Sequence, residues 1–327
     1  IAVSISACGG NWSSRVGEGS AMLVPAVNAA VVTVAGADGT VVALDALTGR
    51  DVWRTTVADG LTAGVGSDGR YAAVVTKTND LVVLQAGREL WRAKLNAPSF
   101  TAPLVAGGRV FTVTADRSVS GFDLQDGKRL WTQTRPAEPL VLNSPGVILP
   151  VGDTLVVGQS GRLVGLNPNG GSARWEAPIA SPRGVNDIER LVDLVGGVSR
   201  LGDSVCVRAF QMSVGCVNAA RGTLQWTKPA NGATGLHGDE LYVYGAESDG
   251  KLVAWRRDNG ERAWTSERLL FRGLTSPLAL GRSVAVGDVE GLVHFVSRED
   301  GSPLTRLSTD GSPIVAAPVI AQGTVVV

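Results

Sequence analysis

The chain has 327 residues, in which 30 Lys and Arg balance 30 Asp and Glu and only 18% of residues are charged. A neutral chain without a basic block lacks the electrostatic footprint of a nucleic-acid binder, so no nucleic-acid partner is expected. Its 42 glycines point to a turn-rich β protein, not to disorder, and no apolar run reaches the about 18 residues of a membrane-spanning helix.

The chain opens on apolar and small residues, Ile1 to Ala7, followed by Cys8. This is similar to the cleavage box of a bacterial lipoprotein, whose signal is removed and whose Cys is then lipidated. Residues 1–8 are therefore expected to be the remnant of a signal, with Cys8 as the lipid anchor to a membrane surface. Trp12 follows at once, with no repeat unit before it.

From Gly39 onward one pattern recurs. GTVVALDALTGRDVW ends at Trp53, DLVVLQAGRELW at Trp91 and RSVSGFDLQDGKRLW at Trp131. GRLVGLNPNGGSARW ends at Trp175, SVGCVNAARGTLQW at Trp226 and GKLVAWRRDNGERAW at Trp264. GLVHFVSREDGSPL, from Gly291, has lost the Trp. Each copy reads as an apolar strand, a polar Gly-containing turn and a short strand. Most copies are preceded by another hairpin, such as Gly108 to Asp116. Four short strands in roughly 40 to 50 residues are the arithmetic of a β-propeller blade.

Six Trp-closed copies give six blades, and the Gly291 copy closes a seventh near Leu304. The hairpin Ser312 to Val327 begins an eighth, and the C-terminus stops about a strand short of the other copies. The N-terminal strand at Trp12 is expected to complete that blade and join the two ends. Residues 9–327 thus read as a single all-β domain, an eight-bladed propeller of four-stranded antiparallel blades. The closing Trp residues are read as wedges between blades. Asn186 to Val195 is expected to be a short helix or an ordered loop.

Cys206 and Cys216 lie in the two arms of a hairpin that turns near Gln211. A cross-strand disulfide is expected in an oxidising compartment, with two separate buried thiols as the alternative. His237, expected in a turn, and His294, expected in a strand, have no neighbours suggesting a triad or a metal set. No catalytic residue, metal site or cofactor is assigned, and the chain does not read as an enzyme. Trp-ending repeats of this kind also build quinoprotein dehydrogenases, which hold pyrroloquinoline quinone and calcium in the central funnel. Those enzymes carry an adjacent Cys pair that this sequence lacks. A quinoprotein-type or other ligand-binding propeller, with a charged funnel, remains the alternative.

The repeat, the Cys8 box and three stretches together resemble the BamB family. The stretches are Pro139 to Gly146 (PLVLNSPG), Asn186 to Val198 (NDIERLVDLVGGV) and Glu261 to Gly301. The resemblance implies a lipoprotein scaffold on the periplasmic face of the outer membrane of a Gram-negative bacterium. It implies binding to the POTRA repeats of BamA, indirect association with other assembly subunits, and support for unfolded outer-membrane proteins. The family's Leu-x-Leu-Arg contact motif matches Leu140, Leu142 and Asn143, with Asn143 in place of Arg. Its Asp-x-Asp motif matches Asp193 and Val195, with Val195 in place of the second Asp. Arg190, beside Asp193, is a candidate rim contact. Leu140 and Leu142 are expected to anchor the partner while charge steering weakens. The alternative for both is an edge strand packed under a loop.

Overall fold

The computed structural model describes residues 2–6 (backbone only), 12–19, 23–136, 140–187 and 190–327. The described residues form eight four-stranded antiparallel sheets and no helix. Blade 1 runs from Ala26–Asn28 through Val31–Ala35 and Thr40–Asp45 to Asp51–Thr56. Six more blades follow the same inner-to-outer order. Innermost strands of neighbouring blades lie against one another, as at blades 5 and 6, and that of blade 1 (Ala26–Asn28) lies against that of blade 8 (Val319–Ala321), which closes the ring. The central strands are buried on both faces, as in Val41 to Leu44, so they read as continuous apolar runs instead of alternating ones.

Blade 8 draws on both ends of the chain. Its inner pair is Val319–Ala321 and Thr324–Val326, its third strand is Ala2–Ser6, and its outer strand is Ser13–Ser14. Ser4 faces Val326 and Ile5 faces Val325. The third strand of this blade is thus the segment assigned to a signal remnant. Cys8 lies outside the described residues.

Each joint between neighbouring blades holds one apolar cluster. The closing Trp residues fill these wedges in a repeated way. Trp12, Trp91, Trp131, Trp226 and Trp264 each donate their indole N–H to a backbone carbonyl of the next blade, at 2.7–3.0 Å. The ring then lies over the glycine of that blade's outer turn. A Cβ on Gly260 would stand 2.4 Å from the Trp226 ring, and one on Gly301 would stand 2.6 Å from Trp264. Both glycines have positive φ, 74° and 70°, so no other residue suits them on either count. Trp53 and Trp175 make the same approach, to Gly87 and Gly222.

Blade 7 departs from this rule. Its Trp position is Thr305, opposite Phe295, whereas Trp264 stands opposite Ala254 and Trp226 opposite Cys216. Its outer strand, Pro303–Ser308, is exposed at every residue. His237 also departs from its expected turn. It begins the inner strand of blade 6, where its Nδ1 accepts the Ala279 N–H of blade 7 at 3.0 Å.

Candidate functional site

Loops joining the outer strand of one blade to the inner strand of the next share a face with the turns between each blade's second and third strands. Leu140 to Gly146 belongs to the loop before blade 4, and Asp193 ends the loop before blade 5. The two segments meet. The Asp193 carboxylate accepts the Leu142 backbone N–H at 2.8 Å. Its other oxygen pairs with the Arg117 guanidinium at 2.7 Å. Arg117 also donates to the Leu140 carbonyl at 3.4 Å and to Ser160 Oγ at 3.1 Å. One side chain from blade 3 therefore holds the loops before blades 4 and 5 together. Val141, Leu142, Asp193 and Arg117 line a small cavity of about 60 Å³ at this meeting point.

Arg117 is 6% exposed and Asp193 13%, so the pair is largely withdrawn from water. Such a pair costs desolvation, and losing one partner strands a buried charge. Asp193 thus acts first as a clamp. The side chains left for a partner are apolar: Leu140 is 40% exposed and Leu142 half-buried. Asn143, next in the chain, and Arg190, in the loop before blade 5, are exposed. Val195 is not part of this surface. It is 4% exposed and lines the central cavity, because strand pairing opposite Arg208 turns it inward. Its assignment as a contact is corrected accordingly. The segment from Asn186 is a loop and contains no helix among the described residues; the Arg190 N–H meets the Asn186 carbonyl in a single turn at 3.2 Å.

Arg117 escapes a motif search but not an alignment of the repeats. At the equivalent turn position blades 1, 6 and 7 place Gly39, Gly250 and Gly291, and blade 2 places Asn79, all with positive φ. Arg117 takes φ 65° there, a conformation that penalises a long side chain. The sequence shows it as Asp116-Arg117-Ser118 against Asp38-Gly39-Thr40.

The central cavity, about 460 Å³, is lined by residues such as Val65, Pro103, Ile148, Val195, Thr234 and Val315, and no charged side chain is among its lining residues. Among the described residues no group of three His, Cys, Asp or Glu converges as metal ligands would. Cys206 and Cys216 face each other on the two middle strands of blade 5 and are joined as a disulfide, with Cα atoms 4.0 Å apart. The Arg257 guanidinium of blade 6 lies 3.4 Å from the Cys206 sulfur, and burial lowers its pKa from the usual range.

Residues 37–266 match the family model described as outer membrane protein assembly factor BamB. The protein of that name from Burkholderia pseudomallei is 38% identical, over 97% of this chain and 84% of its own length. Its counterpart from Bordetella pertussis is 35% identical, over 96% and 83%. The solved BamB of Moraxella catarrhalis superposes with a TM-score of 0.84 at 23% identity, covering 94% of this chain and 96% of that one. A quinohemoprotein alcohol dehydrogenase from Comamonas testosteroni reaches 0.71 at 14% identity, covering 92% and 69%. Both structural likenesses speak to the fold.

Proposed function

The chain belongs to the family of the outer membrane protein assembly factor BamB, and from that premise we propose that it is a non-catalytic scaffold. It binds the periplasmic POTRA repeats of BamA and supports folding and insertion of outer-membrane proteins. The observation that carries this reading is the clamp at Asp193. Two loops with exposed apolar residues are fixed against each other by a buried ion pair and a backbone hydrogen bond. A preordered apolar patch loses little entropy on docking, which favours binding. Leu140 and Leu142 are the anchors, with Asn143 and Arg190 at the rim. The central cavity has no charged side chain among its lining residues, which favours the scaffold reading over the quinone alternative.

The test is binding to the POTRA region of the cognate BamA. Leu140→Ala/Leu142→Ala should weaken saturable binding about tenfold or more while thermal unfolding stays nearly unchanged. A folded double variant that binds as well as the wild type would overturn the assignment.

The location that fits this role is the periplasmic face of the outer membrane. Lipidation at Cys8 needs cleavage before that residue, and cleavage removes the strand paired with Thr324–Val326. Lipid anchor and third strand are therefore alternatives for residues 1–8. Mass spectrometry of the mature N-terminus from membranes separates them: a lipidated Cys8 end supports the anchor, and a retained Ala2–Ser6 segment supports the strand.

A further inference from the structure

The connection from blade 6 to blade 7 lies within the stretch Glu261 to Gly301 and has no part in the site above. It carries Phe271, 84% exposed at φ 61°. A bulky aromatic in left-handed backbone persists only where its surroundings fix it. Here they do. The Phe271 N–H donates to the Asp249 carbonyl at 2.9 Å, and the Val289 N–H donates to the Arg272 carbonyl at 3.2 Å. Arg272 bonds Asp288 at 2.7 Å and Glu290 at 2.6 Å. The loop is tied to turns of both blades, and that rigidity holds a phenyl ring out in water. Val289, 48% exposed, continues the apolar surface.

Beside this loop lies a groove of about 430 Å³ against the outer half of blade 7. Leu269, Phe295 and Leu304 give it an apolar floor, and Arg268, Arg272 and Arg306 are its charged lining residues. No carboxylate lines it. Arg272 is balanced by Asp288 and Glu290. Arg268 and Arg306 are exposed, and neither has an ion-pair partner among the described residues.

We infer that Phe271 and this groove form a second protein-docking surface, and that its occupant is an acidic, apolar segment of another protein. Two unpaired guanidiniums above an apolar floor suit carboxylates flanked by apolar side chains. An exposed, rigidly held aromatic is the kind of residue that anchors an interface. An anionic lipid surface fits less well. Glu267 precedes Arg268 in the chain and Glu290 pairs with Arg272; both are exposed, at 65% and 64%, and lie outside the groove's lining, where an extended layer of phosphates would meet their charge. The surface uses blades 6 and 7, so it can be broken apart from the site on blades 3 to 5.

The probe is a fluorescein-labelled hexapeptide alternating leucine and glutamate, followed by anisotropy. Its lysine counterpart and phosphatidylglycerol vesicles are the controls. The acidic peptide should bind saturably. Arg268→Glu/Arg306→Glu should weaken it roughly tenfold. Phe271→Ala should weaken it about fivefold or more. Both variants should keep the wild-type unfolding temperature, and Leu140→Ala/Leu142→Ala should leave peptide binding unchanged. Absence of saturable binding, equal binding of the lysine peptide, indifference to the charge reversal, or binding of vesicles in place of peptide would each overturn the inference.

Discussion

Joints 6–7 and 7–8 of the ring come from the same repeat and are built differently. At joint 6–7, Trp264 is 9% exposed and bonds the Arg298 carbonyl, and six other buried residues cluster with it. At joint 7–8 the Trp position is Thr305, which leaves that wedge without an indole. Phe295, opposite Thr305, packs into the apolar cluster of that joint. A periodic fold is thus not periodic in how its joints are filled. Nearest-neighbour terms add up around a ring of this kind, so its weakest joint sets where it opens first.

Several substitutions would break or sharpen that contrast. The largest effect is expected from Trp264→Ala, which removes a buried indole and its hydrogen bond and should cost about 3 to 5 kcal/mol in denaturant unfolding. Thr305→Ala at the matching place in blade 7 should stay within about 0.5 kcal/mol; an equal loss would erase the distinction between the joints. Next comes Arg117→Gly. It installs the residue that other blades use and relieves the backbone, yet it strands Asp193. We expect a net loss of about 2 to 3 kcal/mol together with weaker POTRA binding. A more stable variant would mean that the clamp is no clamp. Removing the disulfide with Cys206→Ala/Cys216→Ala should cost about 2 to 3 kcal/mol, since it closes a short loop within one blade. Hydrogen exchange should then rise in blade 5 while the outer strand of blade 7 stays the fastest.

The smallest effect concerns pH. Burial holds the His237 pKa below its ordinary 6.5, helped by the charge of Arg257 and opposed by Asp239. The neutral ring accepts the Ala279 N–H across joint 6–7. The unfolded chain therefore binds the proton more readily than the folded one. The stabilisation is present above pH 6.5 and is lost as pH falls from there through the lowered folded pKa. His237→Asn keeps an acceptor without a titrating proton. Its melting temperature should fall less than that of the wild type between pH 7.5 and 5.5; parallel curves would remove His237 from the acid response.

The ring was legible because Trp marks every repeat but one, and because strand periodicity is a local signal. The cysteine register was legible for the same reason: positions symmetric about Gln211 must face each other. Leu140 and Asp193 could be proposed only through family resemblance, since nothing local says that Leu142 and Asp193, 51 residues apart, will touch. Arg117, which makes them touch, stands in neither motif, and its signal is a glycine position filled by arginine. Val195 misled because a loop motif was carried into a strand whose alternation turns that side chain inward. The segment Ala2–Ser6 reads equally as a hydrophobic signal end and as a strand, because both need apolar residues next to small ones.

Cys206 and Cys216 are wholly buried beneath a neighbouring blade. An oxidant cannot reach a thiol there once the ring is shut, so the bond must form in the hairpin before blade 6 covers it. The cross-link therefore dates an event in maturation. In the periplasmic setting proposed above, that would leave blade 5 as a locked hairpin on which later strands can assemble.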